Sequence, residues 1–414
     1  MARKVLLVCH DFPPNQGIGG RRWAKFAKGL AAKDVQVFVL KARPIEQNVA
    51  SPWSQDVEHP LINIEEFRRT YPEEVSHPKK GLIQKFKYRS AIKKLMSTVK
   101  GTIYDIAVYG KEAVQTEAAR IIVENDIEHV IVTGAPFNLF HYIAELKTQM
   151  PELKILVDYR DPWITAKNYG MANLDESRML FEKEKQQYIF ENVDFVSCPN
   201  EFLLKEIRDT ALSPDKIKAE FISLPHSYDP YDIAPLSTSS ADSAIPTTVY
   251  GGAIYVGLNT ILDQVHDWLK KLRSTNAELA GQVKMEFYTP DHKALDEYTS
   301  DPGFVAHPSV GKKLFDRIGS AHTAAIFLSD HNKDFLTTKF FEILPLQKPM
   351  LVFGPRGHAA DFVEENSLGK YIGDFQTFEK VLSDIHNGEF MVPNYDFTQH
   401  SLPTVTQSLM SRFL

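Results

Sequence analysis

The chain has 414 residues, too many for one hydrophobic core, and suits two domains of about 200 residues each. A composition of 43% hydrophobic and 24% charged residues is that of an ordinary globular protein, and a net charge of −6 argues against a surface that coats polyanions. Two isolated cysteines, Cys9 and Cys198, exclude a disulfide scaffold and fit a reducing compartment.

The apolar run after Arg3-Lys4 is too short for a signal-peptide core and ends at the polar pair His10-Asp11. No apolar segment approaches the ~20 residues needed to span a bilayer. A cytoplasmic protein is expected, free or peripheral on the cytosolic face of a membrane. Residues 5–9 read as a strand buried on both faces, as in a parallel sheet. A loop over 10–20, a helical pattern at Trp23, Phe26, Ala27 and Leu30, and a strand over 35–40 complete a βαβ unit.

The loop His10-Asp11-Phe12-Pro13-Pro14-Asn15-Gln16-Gly17-Ile18-Gly19-Gly20-Arg21-Arg22 lies at the carboxyl edge of that sheet, where α/β proteins place ligands. Gly17, Gly19 and Gly20 permit close backbone approach, but the G-x-G-x-x-G fingerprint is absent, which argues against a dehydrogenase. A flexible surface loop is the alternative.

Residues 79–100 hold eight cations and no acidic residue: Lys79, Lys80, Lys85, Lys87, Arg89, Lys93, Lys94 and Lys100. Ile92, Leu95, Met96 and Val99 fall at i, i+3, i+4 and i+7, so part of the run is an amphipathic helix. Such a helix suits an anionic lipid surface, each cation contributing about 1 kcal/mol, with Lys85, Lys87, Lys93 and Lys94 as contacts. It equally suits a solvated helix whose apolar face lies in the core. Phe86 and Tyr88 alternate with cations as a base-stacking platform would, but two aromatics are a weak signal, and no nucleic-acid partner is expected.

Further strands are predicted over 103–108, 129–132, 155–157, 195–198 and 221–224, the last closing the first half. Thr133-Gly134-Ala135-Pro136-Phe137-Asn138 and Asp158-Tyr159-Arg160-Asp161-Pro162-Trp163 follow two of these strands as edge loops. The second packs three charges against two aromatics. It reads either as a site or as an Arg–Asp pair tying down the loop.

Residues 229–248, rich in proline and serine, read as an interdomain linker. A second α/β half follows, with strands over 249–252, 284–288, 303–305, 323–328, 349–353 and 371–372. Neither half contains a phosphate-binding G-x-x-x-x-G-K-[ST] loop or a metal-spaced His/Cys cluster. After Tyr250-Gly251-Gly252 no cation appears until Lys270. Val310 follows a strand in Pro308-Ser309-Val310, which also reads as an ordinary strand-to-helix loop.

The densest signal is Thr337-Thr338-Lys339-Phe340-Phe341-Glu342-Ile343-Leu344-Pro345-Leu346-Gln347-Lys348-Pro349, a loop and a short apolar helix followed by a turn into a strand. Hydroxyl residues and a lysine at the helix start offer backbone N–H groups and a dipole end to an anion, with Glu342 placed to accept hydroxyl hydrogen bonds. A ligand carrying both a diphosphate and sugar hydroxyls, such as a nucleotide sugar, fits that combination. The alternative is an i,i+3 surface pair on a crossover helix. Residues 395–414 show helical spacing at Val405, Leu409, Met410 and Phe413.

The helix with Lys339, Glu342, Lys348 and Pro349 resembles the donor-binding helix of retaining GT-B glycosyltransferases of the family-4 type, including bacterial polysaccharide biosynthesis enzymes. The proline-glycine loop before Arg21 and the phrase Asp158-Tyr159-Arg160-Asp161-Pro162-Trp163 are similar to segments of the same family, in the same order. Two departures stand out. Asp334 replaces the family's first glutamate, and the usual Arg and Lys after the glycine pair are missing.

The resemblance implies two facing Rossmann-like domains with a deep interdomain cleft. An acceptor-side domain would span 1–232 and a donor domain 233–394, with a helix in 395–414 crossing back to the first. It implies a donor site of Gly17, Gly19, Gly20, Arg21, Gly252, Val310, Asp334, Thr337, Thr338, Lys339 and Glu342, with catalytic roles for Asp161, Arg160 and Lys339. Either Arg21 or Arg22 would face the cleft while its neighbour faces solvent. The implied activity is transfer of a hexosyl unit from a UDP- or GDP-sugar to a hydroxyl of a glycan or lipid-linked acceptor, with retention and with neither metal nor cofactor. A nucleotide-sugar epimerase and a catalytically silent scaffold of the same fold are the competing classes.

Overall fold

The computed structural model describes residues 3–15, 20–44, 51, 53–166, 169–233, 245–254, 257–330, 332–391 and 393–414. Gly17, Gly19 and most of the 229–248 linker lie outside them.

Short apolar runs such as Val5-Leu6-Leu7-Val8, nearly devoid of exposure, can be satisfied only between two layers of helices. Seven strands do this in the first sheet: β1 Lys4–Cys9, β2 Gln36–Ala42, β3 Ile62–Phe67, β4 His129–Gly134, β5 Lys154–Tyr159, β6 Phe195–Cys198 and β7 Glu220–Ser223. Their order is β3-β2-β1-β4-β5-β6-β7, parallel throughout. Six more form the second sheet: β8 Thr247–Gly251, β9 Lys284–Tyr288, β10 Phe304–His307, β11 Thr323–Phe327, β12 Met350–Phe353 and β13 Gly369–Ile372. Their order is β10-β9-β8-β11-β12-β13, again parallel. The α/β class expected from the sequence is therefore present twice.

Each sheet reverses its direction of growth once, between β1 and β4 in the first and between β8 and β11 in the second. At such a point the loops leaving neighbouring strands diverge and open a crevice at the carboxyl edge. The loops after β1 and β4, and those after β8 and β11, therefore occupy the positions where this architecture binds ligands.

The strand predicted over 103–108 is absent. Asp105 sits in the middle of that apolar run, and its carboxylate accepts from Ala107 N at 2.9 Å and Asn138 N at 2.9 Å, turning the chain back on itself. The Tyr142 hydroxyl, near the carbonyls of Ala107 and Val108 at 3.0 and 3.1 Å, fixes the turn from outside. The missing strand is β3, Ile62–Phe67, whose two end residues are buried while its interior carries Asn63, Glu65 and Glu66. It is an edge strand, and edge strands tolerate the charges that hide them from sequence reading.

The chain divides into two compact units, Met1–Pro225 with Leu402–Leu414, and His226–Ser401. In the first, the helix Leu402–Phe413 lies so close to the helix Arg21–Ala31 that a Cβ on Gly29 would meet Thr406 Oγ1 at 2.3 Å. Val405, Leu409, Met410 and Phe413 join the core formed by Trp23, Phe26 and Leu30. Among the described residues, no helix is long and apolar enough to cross a membrane.

Candidate functional site

The crevice of the first unit is built around Asp158, near the end of β5 and fully buried. Its Oδ1 accepts from Arg22 Nη2 at 3.0 Å and Ser197 Oγ at 2.9 Å. Its Oδ2 accepts from Arg22 Nε at 3.1 Å and Trp23 Nε1 at 2.7 Å, with Thr133 Oγ1 at 3.4 Å. The same guanidinium donates to the carbonyls of Leu224 at 2.6 Å and Pro225 at 3.2 Å. The start of the helix Arg21–Ala31, β4, β5, β6 and the chain leaving β7 are thus tied to one carboxylate. Of this cluster, sequence reading singled out Asp158 and Arg22 but could not connect them, since they are paired only by the fold.

Arg160 closes the neighbouring loop. Its Nε donates to Gly134 O and its Nη2 to Ala135 O, both at 2.7 Å. The loop is therefore tied to main-chain carbonyls through the Arg160 guanidinium. Asp161 is half-buried and accepts from the Tyr169 hydroxyl at 3.3 Å. The expectation that one of Arg21 and Arg22 faces solvent fails, because both are buried. Arg22 is consumed by Asp158, and the Arg21 guanidinium lies 3.4 Å above the Trp53 ring, where its flat face stacks. Gly20 is a glycine for steric reasons, since a Cβ there would meet Asp11 O at 2.6 Å.

The crevice of the second unit is organised by Lys339. The helix Thr338–Ile343 buries Phe340 and Phe341 in the core, which fixes its rotation. Lys339 and Glu342 then share a face by their three-residue spacing. Glu342 is buried and Lys339 half-buried, so neither belongs to an exposed surface pair. The Lys339 side chain crosses the glycine pair after β8: a Cβ on Gly252 would lie 1.8 Å from Lys339 Nζ. Gly252 has φ +137°, a conformation that favours glycine.

Tyr250, not foreseen from the sequence as a site residue, completes the seat. Lys339 Nζ donates to its hydroxyl at 3.2 Å and stands 4.8 Å from its ring centroid. That hydroxyl donates in turn to Ala253 O at 2.8 Å, holding the loop that contains Gly252. Burial brings the Lys339 ammonium down to about 8, against the opposing pull of the Glu342 carboxylate. A tyrosine immediately before a glycine pair at the end of a buried strand was the available signal.

The remaining expected residues spread over the same edge. Thr337 stands at the cap position of the Lys339 helix, and Thr338 Oγ1 lies 3.4 Å from His226 Nδ1. Asp334 is half-buried and accepts from His358 N at 3.0 Å, tying its loop to the start of the helix His358–Glu365. Val310 is half-buried beyond the edge strand β10. Arg356 is bound to Asp361 at 2.8 Å and Glu364 at 2.9 Å. Lys85, Lys87, Lys93 and Lys94 are exposed on the helix Leu82–Thr98 of the first unit.

No family model matches the sequence, and no curated protein matches it. Among solved structures the chain is similar to alpha,alpha-trehalose 6-phosphate synthase from Burkholderia multivorans (TM-score 0.60, 9% identity, covering 99% of this chain and 98% of that one). It is similar to the E. coli trehalose-6-phosphate protein bound with UDP-2-fluoro glucose (TM-score 0.59, 10% identity, 99% and 98% covered). A third is sucrose-phosphate synthase from Thermosynechococcus elongatus (TM-score 0.52, 10% identity, 99% and 95% covered). The chain has the GT-B fold of these glycosyltransferases, and at such identities the likeness speaks for the fold alone.

Two predictions test the two crevices. Asp158→Ala leaves the buried Arg22 guanidinium without its carboxylate and should lower stability by about 3–5 kcal/mol in urea unfolding. A loss below about 1 kcal/mol would mean that the cluster adds little to the fold. Gly252→Ala strains a left-handed backbone and occupies the space of Lys339 Nζ. It should lower stability by about 1–3 kcal/mol in urea unfolding, and unchanged stability would show that the ammonium need not sit there.

Proposed function

We propose that the chain transfers a hexosyl unit from a nucleotide-sugar donor to a hydroxyl acceptor, with retention at the anomeric carbon. The observation that carries this reading is the Lys339 ammonium, seated on Gly252 and Tyr250 at the reversal of the second sheet, with Glu342 one helical turn away. A diphosphate needs a fixed cation, and ribose needs an acceptor of hydroxyl hydrogen bonds. One short helix offers both. Similarity to glycosyltransferases, one of them bound with UDP-2-fluoro glucose, supports the same class.

In this reading Lys339 stabilises the negative charge that grows on the departing diphosphate as the bond to the anomeric carbon breaks. It takes the place of the Arg and Lys missing after Gly252. Glu342 accepts from the ribose hydroxyls, and the loop around Gly252 lets the donor approach the main chain. On the first unit, Asp161 and Arg160 are assigned to the acceptor side, with Arg160 holding the loop and Asp161 orienting a glycan hydroxyl.

Two measurements test the donor site. Glu342→Ala should weaken UDP-sugar binding roughly tenfold or more, the cost of losing hydrogen bonds to a charged acceptor. Unchanged affinity in calorimetry would remove Glu342 from the site. A bound diphosphate needs the protonated lysine, and Lys339 loses its proton near pH 8. UDP affinity should therefore fall roughly fourfold between pH 7 and 8.5, and the fall should vanish in Lys339→Met. A wild-type profile as flat as that of the variant would show that another group neutralises the phosphates. UDP release that depends on an added glycan acceptor separates transfer from epimerisation, which needs none.

A further inference from the structure

The helix Leu82–Thr98 carries apolar side chains on two opposite faces, and only one of them is packed. Advancing about 100° per residue from Leu82, Leu95, Val99 and Ile92 fall between about 220° and 280°. This side belongs to a small core with Ile103, Tyr71 and Val75. Met96, expected to join that stripe, is instead 51% exposed.

The opposite side is unusual. Leu82, Phe86 and Ile83 fall at about 0°, 40° and 100° and are 87%, 76% and 74% exposed. Single exposed apolar residues are common, but three large ones within two turns of one outer face are not. Cations border them on both sides. Arg89 and Lys85 lie at about 340° and 300°, Lys94 and Lys87 at about 120° and 140°, and Lys93 at about 20° follows in line. All five are exposed, as are Lys79 and Lys80 just before the helix. No carboxylate occurs between residues 79 and 100, although the chain as a whole is acidic.

An apolar wedge flanked by positive charge is the surface of a helix that lies in a bilayer interface, with its aliphatic and aromatic groups below the headgroups and its cations among the phosphates. A solvated face would have no use for the wedge, and a polyanion in water would have no use for it either. We propose that the first unit docks on anionic membranes through Leu82, Ile83 and Phe86, held by Lys85, Lys87, Arg89, Lys93 and Lys94. The lipid contact is therefore made by the face opposite the Ile92, Leu95 and Val99 stripe. The inference leans on the proposed function only for its purpose, which is to bring the enzyme to a lipid-linked acceptor. Vesicle binding is read without donor or acceptor, so either reading can fail alone.

The test is co-sedimentation of the full chain with vesicles of phosphatidylcholine alone or mixed equally with phosphatidylglycerol. The wild type should sediment with the mixed vesicles only, and less so at high salt. Combined Leu82→Ser, Ile83→Ser and Phe86→Ser should weaken that binding by about a hundredfold, with thermal unfolding and UDP affinity unchanged because all three positions are exposed. Replacing Lys85, Lys87, Lys93 and Lys94 by Gln should abolish it. The proposal is overturned if the wild type ignores anionic vesicles, or if the serine variant binds them as well as the wild type. It is also overturned if the wild type dimerises through this face in sedimentation velocity.

Discussion

A single carboxylate, Asp158, decides how the carboxyl edge of the first sheet is put together. Isolating Asp158 and Arg22 from water is expensive, and a buried pair repays that cost only when the remaining donors and acceptors are also satisfied. Here they are. Both carboxylate oxygens accept from more than one donor, and the guanidinium spends its other N–H groups on Leu224 and Pro225 carbonyls. The consequence is geometric, since strands adjacent in space but distant in sequence are locked in one arrangement at the place where loops diverge. Arg160 and Asp161 follow Asp158 by two and three residues, so their positions inherit its rigidity.

The second unit treats its cation differently. Arg22 is neutralised by a carboxylate in direct contact, which makes it part of the fold. Lys339 is seated on a hydroxyl, an aromatic ring and the bare backbone of a glycine, and burial pulls its proton affinity down despite Glu342. A lysine in that state gains from an incoming anion, because the anion restores the favourable environment that burial removed. Arg22 belongs to a structural joint, and under the proposed function Lys339 presents its charge to the donor.

What was legible in the sequence follows the same division. Strands buried on both faces announce themselves by composition, so β1, β4, β5 and the strands of the second sheet were readable in place. β3 was not, because an edge strand carrying Glu65 and Glu66 loses the apolar signature. The 103–108 run misled for the opposite reason: its apolar side chains are needed beneath a turn set by Asp105. That Lys339 and Glu342 share a helix was legible because their spacing is local. The Asp158–Arg22 pair spans 136 positions and becomes visible only once the sheet order is known. The basic helix was half legible. Its charge run could be counted, but which apolar face is packed depends on what lies beneath it.

Tyr250 shows why the Lys339 seat was the hardest element to foresee. Its ring belongs to the core of the second unit, 5.1 Å from the Phe327 centroid and 5.7 Å from that of Phe287. Read along the chain it is an aromatic in a buried strand, marked out only by the glycine pair that follows it. Only its hydroxyl reaches the edge, where it supports both Lys339 and the loop after β8. The position of the cation is therefore set by aromatic packing well inside the sheet, and a core that repacks would move the charge with it. The family pattern places its clamp on side chains that follow the glycine pair. In this chain the support comes from the residue just before that pair, reaching forward to a lysine nearly ninety positions away. No cation follows the pair until Lys270, and the ammonium that lies against Gly252 comes from Lys339.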